Sequence, residues 1–158
     1  VSRDPDGFFA VIEEEGTANL ANNMTAAGTL VALSRADAGV GVALEFVEGR
    51  DDTLLITTAD SDAGGMQVMH QDEGPVDPVT WGGGILHGVE GPRGMAFATP
   101  ADAAGETHFF GIAWTGRGDV AGGILVRGAG FNSDLITPLM DNTDVYSVMY
   151  RTLFGTTP

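Results

Sequence analysis

Two short apolar runs flank a long stretch of helical periodicity, and that arrangement limits the folds open to this chain more than any other feature. Phe8-Phe-Ala-Val-Ile12 follows Asp6-Gly7, and Thr53-Leu-Leu-Ile-Thr-Thr58 follows Asp51-Asp52. Each is continuous rather than alternating, the pattern of a strand covered on both faces. Between them, from about Asn23 to Glu48, Ala26, Leu30, Leu33, Val40, Leu44 and Val47 recur along one helical face. Asn22 or Asn23 is placed to cap that helix. Gly39 invites a kink or close packing there. Strand, helix and strand make one βαβ unit with a right-handed crossover. The expected fold class is therefore α/β with a mainly parallel sheet. The polar segments Glu13–Thr17 and Ala59–Gly65 then share one sheet edge, where open α/β sheets hold ligands.

The rest of the chain is more broken. Gly82-Gly-Gly84 and prolines 75, 78, 92 and 100 predict loops and small antiparallel strands between Met66 and Pro100. Phe109–Trp114 and Gly122–Val126 read as strands. Asn142 or Thr143 lies near the start of a last helix, with Val145, Val148, Met149 and Leu153 inward and Gly155 as its stop. The 158 residues suffice for one domain with a core, so residues 1–158 read as a single domain or as the C-terminal portion of one. The opening Val1–Gly7 lacks a signal-peptide pattern and reads as the start of a fragment or processed piece.

Charge excludes several functions. The net charge is −15; all seven basic residues are arginines and there is no lysine. With no basic patch, neither a nucleic acid nor an anionic membrane surface is an expected partner. No 18-residue apolar run is present, so no membrane span is expected. Counterions would screen the self-repulsion of such a surface, so a saline setting suits it. The chain has no cysteine, which removes disulfides and thiolate metal sites.

The candidate chemistry lies in the carboxylates. Glu13-Glu-Glu15 alone is simply accounted for as a solvated turn. Joined by Asp60 and Asp62 at the neighbouring strand end, these groups would repel one another unless a cation bound them. Asn19, Asn22 and Asn23 offer neutral oxygens to the same site. His70, His87 and His108 lack metal-ligand spacing and read as surface residues. Ser61 has no histidine base nearby, and Gly82–Gly84 lacks the lysine and helix of a phosphate loop. Met66, Met69 and Met95 read as packing residues.

Three segments in order resemble the alkaline phosphatase family: Gly7-Phe-Phe-Ala-Val-Ile-Glu13 with the helix behind it, Asp52-Thr-Leu-Leu-Ile-Thr-Thr-Ala-Asp60, and Trp114-Thr-Gly-Arg-Gly-Asp-Val120 leading to Asp141-Asn-Thr-Asp-Val-Tyr146. The resemblance spans nearly the whole chain. It implies part of a three-layer sandwich around a mainly parallel sheet. It also implies phosphomonoester hydrolysis through a phosphoserine, with two zinc ions and a magnesium in the two-metal manner. The family's nucleophilic serine and phosphate-clamping arginine precede the matched region, so no catalytic residue is assigned here.

Residue by residue, the family's magnesium glutamate falls on Glu13 and an aspartate ligand on Asp60. Its zinc aspartate falls on Ala18, and its zinc histidines fall on Asn22, Ser61 and Trp114. The resemblance implies Glu13 and Asp60 as metal residues; Asp62, from the carboxylates at the same sheet edge, and Asn22 or Asn19 are the candidates to assist them. These oxygen donors suit magnesium, calcium or manganese and argue against zinc. Trp114 reads as filling the space of the lost zinc and histidine. The resemblance thus implies part of a metal-dependent phosphate-ester hydrolase with an altered metal set. The alternative is an inactive binding or structural protein of that fold. Further implied are a phosphate-ester ligand, an upstream half of the same protein, a homodimer, and a periplasmic or extracellular location.

Overall fold

The computed structural model describes residues 5–70, 72–75, 80–81, 84–85, 87–90 and 96–158, with only backbone pairing described for residues 80–90. The expectations for Pro78, Gly82, Gly83, Pro92 and Met95 lie outside these residues.

The chain enters through an open segment and forms α1 (Gly16–Asn22) and α2 (Ala26–Val47). Residues Asn23–Thr25 separate the two, and Met24 there takes a left-handed φ of 54°. The helix expected from about Asn23 to Glu48 forms as α2; α1, ahead of it and ended by the left-handed turn, was not expected. The long helix turns much of the expected face inward, with Ala26 and Val47 buried and Leu30 and Val40 half-buried, but shifted toward small residues. Ala26, Thr29, Ala32 and Val47 are buried, while Leu33 and Leu44 are about half exposed. Small side chains won this face because α1 lies close against it: a Cβ at Gly28 would sit 3.2 Å from Leu20. Gly39 and Gly41 meet open space, so no close packing forms there.

Beyond Gly49 come β1 (Leu54–Thr57), β2 (Asp62–Ala63), β3 (Met66–His70), β4 (Thr80–Trp81), β5 (Gly84–Ile85), β6 (His87–Glu90), β7 (Phe97–Ala98), β8 (Phe109–Trp114), β9 (Asp119–Val120) and β10 (Arg127–Gly130). A 3₁₀ turn (Ser133–Leu135) and α3 (Asn142–Phe154) follow. Every strand pair among the described residues is antiparallel: β1 with β10, β2 with β9, β4 with β5, and β8 with β3, β6 and β7.

The mainly parallel sheet, and with it the three-layer sandwich, is therefore not formed. Two features account for the difference. Phe8–Ile12 is not a strand; Phe9, Val11 and Ile12 are 61%, 80% and 90% exposed. A run that needs cover on both faces finds no neighbouring strand among the described residues. Thr53–Thr58 does hold a strand, but β1 is only half-buried and takes the returning β10 as its partner. The strand expected at Gly122–Val126 falls instead at Arg127–Gly130.

The core lies where β8 meets the helical pair. Trp114 and Ile112 are the largest fully buried side chains, packed with Ala21 and Ala26 and flanked by Met24, Ala63, Met66, Phe97 and Phe110. The last helix matches its expected range. Asp141 caps it, accepting from the Thr143 N–H at 3.2 Å while Asp144 accepts from the Asp141 N–H at 2.8 Å, a capping box. Gly155 ends it at φ 72°. Of its expected inward residues, Val148 is buried and Val145 and Met149 are half-buried, whereas Leu153 is exposed. No helix among the described residues is long and apolar enough to cross a membrane.

Candidate functional site

Three segments distant in sequence meet beside Trp114: the end of α1, the turn from Asp60 to Gly65, and the stretch from Trp114 to Val120. Backbone bonds tie the second to the third. Gly64 N–H donates to the Gly118 carbonyl at 3.0 Å, Thr115 N–H donates to the Gly64 carbonyl at 3.0 Å, and the Thr115 hydroxyl donates to the Gly65 carbonyl at 3.1 Å. In the β2–β9 ladder Asp62 faces Val120 and Ala63 faces Asp119. The first segment joins through Asn22, whose Nδ2 donates to Asp119 Oδ1 at 3.0 Å.

The approach requires glycine. Gly64 has φ +67°, and a Cβ there would strike the Ala21 carbonyl oxygen and come within 2.9 Å of the Trp114 ring. Gly122 also packs closely, since a Cβ there would lie 2.6 Å from the Asp62 carboxylate. Two buried polar side-chain atoms here lack partners: Asn22 Oδ1 and Trp114 Nε1. Unpaired buried polar atoms are rare enough to mark a place where a partner is missing or lost.

The predicted metal residues divide. Asn22 and Asp62 both belong to this meeting point. Asp60 is exposed at its edge, its Oδ1 at 3.5 Å from the Ser61 hydroxyl. Glu13 is exposed in the segment before α1. Its neighbour Glu14 serves the helix start, where Oε2 accepts from the Thr17 N–H at 2.9 Å. Ala18 and Asn22 are four residues apart on α1 and so share a face. Zinc does not fit these residues. Trp114 is wholly buried in the core, Ala18 has no donor atom, and no histidine stands at the positions concerned. Oxygen donors such as Asn22 and Asp119 match a hard cation better, while the β2–β9 register places Asp62 on the opposite face of the ladder from Asp119. Asp119 was missed in the sequence; its signal was the Thr-Gly-Arg-Gly-Asp spacing that returns the chain toward α1.

A second group lies elsewhere. Asp102, Glu106 and His108 bring their ligand atoms within 4.8 Å of one another, the one such cluster of three acidic, histidine or cysteine side chains among the described residues. Glu13, Asp60 and Asp62 do not form another. The cluster sits on the exposed hairpin between β7 and β8. Asp102 Oδ1 accepts from the N–H groups of Ala104 at 2.8 Å and Glu106 at 2.9 Å, and Oδ2 lies 3.1 Å from His108 Nε2. Sequence spacing alone passed over His108; the Asp-x-x-x-Glu-x-His pattern closed by Gly105, at φ +84°, was the available signal.

The Glu106 N–H above all, and then His108, holds the Asp102 carboxyl below its ordinary value of 3.8. Its contribution is thus complete above the ordinary carboxylate value and is lost as pH falls through the lowered one. Amide exchange at Ala104 and Glu106 should stay slow at neutral pH, relative to an Asp102→Asn variant, and the difference should vanish in strong acid. Equal exchange in the two proteins at pH 6 would show that the carboxylate does not hold the turn.

No family model, no curated protein and no solved structure matches this chain.

Proposed function

We propose that this chain is the C-terminal part of a metal-dependent phosphate-ester hydrolase similar to alkaline phosphatases, with a hard cation replacing the zinc chemistry. The observation that carries the reading is the meeting of the end of α1, the Asp60–Gly65 turn and Trp114–Val120; of the segments that carry the resemblance, Trp114–Val120 lies wholly within it and Asp52–Asp60 reaches it through Asp60. Asn22, Ser61 and Trp114, the positions of the family's zinc histidines, all belong to the three meeting segments. Asn22 and Asp119 would supply the first oxygens, and Asp60, Asp62 and Glu13, which stand apart from them among the described residues, would join only on rearrangement around the cation. Magnesium, calcium or manganese takes roughly six to eight such ligands, with water completing the shell. When bound, the cation would neutralise charge on a phosphate ester.

The nucleophile and the phosphate-clamping arginine would come from an upstream half of the same protein. The exposure of Phe8, Phe9, Val11 and Ile12 supports a covering segment of that kind. A homodimer and a periplasmic or extracellular location belong to the same reading. A second reading, an inactive binding or structural protein, is favoured by the complete burial of Trp114.

Two measurements test the proposal. The 158-residue chain alone should not hydrolyse an aryl phosphate, because it supplies no assigned nucleophile. Its melting temperature should rise in magnesium, calcium or manganese through binding to the folded state, and Asp62→Ala with Asp119→Ala should remove the rise. Steady hydrolysis abolished by Glu13→Ala would overturn the division of roles. One tightly held tetrahedral zinc with a histidine ligand would overturn the metal assignment.

A further inference from the structure

We draw no further inference here: the strongest candidate, the exposed apolar run Phe8–Ile12 ahead of α1, belongs to the reading already proposed, and nothing among the described residues shows what else would cover it.

Discussion

Replacing Trp114 with alanine should unfold much of this protein. The indole is fully buried against Ala21, Ala26 and Ile112, and half-buried Met24, Met66, Phe97 and Phe110 close around it. Truncations of this kind cost about 3–5 kcal/mol, the transfer loss plus the cavity left behind. Domains of ordinary stability hold only about 5–15 kcal/mol in total. The core here is thin: Trp114 and Ile112 are the largest fully buried side chains among the described residues, and alanines make up half of its buried hydrophobics. Trp114→Phe should cost far less. It gives up some volume but also removes the unpaired Nε1–H, whose burial costs about 1–3 kcal/mol. Urea unfolding of both variants checks the pair. A Trp114→Ala midpoint close to the parent's would mean that the indole does not organise the core.

Gly64→Ala should be nearly as damaging, for a backbone reason. The substitution asks a non-glycine residue to hold φ +67° and drives its methyl into the Ala21 carbonyl and the Trp114 ring. The left-handed backbone costs about 1–2 kcal/mol and the overpacking typically 1–3 kcal/mol more. Relief requires the end of α1 to separate from the turn, so the Asn22–Asp119 bond should break as well. Thermal unfolding reads the first effect, and the side-chain amide resonances of Asn22 read the second. Gly116→Ala is the control, because its Cβ would meet open space. Equal melting temperatures for the two variants would refute the close approach.

Local signals survived the passage from sequence to structure, and directional ones did not. The last helix was readable because its periodicity, start and glycine stop all act within a few residues; only the cap moved, to Asp141, which forms a capping box with Asp144. Phe109–Trp114 was readable as a strand because its apolar and β-forming residues form one run. The run Phe8–Ile12 carried the same kind of signal and failed, since a continuous apolar run states a need for cover without saying what provides it. Nothing in Thr53–Thr58 specifies the direction of a neighbour, so β10 could take the edge in antiparallel register. At the site, Asn22 could be named from the resemblance and Asp62 from the carboxylates that follow the second strand. The Asn22–Asp119 pairing could not, because it spans 97 residues and depends on the close approach of α1 that Gly64 permits.

The proposed function requires that Ala18, Asn22 and Trp114 stand where a related phosphatase would hold a zinc ion. Its most direct test is to rebuild that site with Ala18→Asp, Asn22→His and Trp114→His in one chain. Two histidines and one carboxylate are a sufficient protein set for zinc with an open fourth position. Loss of the buried indole should lower the melting temperature of the metal-free variant. Zinc retained after dialysis, and melting followed with and without zinc, give the readout. The account predicts one zinc per variant chain, none in the parent, and recovery of much of the lost melting temperature when zinc is added. A variant whose helical circular dichroism is intact, yet which retains no zinc and melts identically with or without it, would contradict the claim.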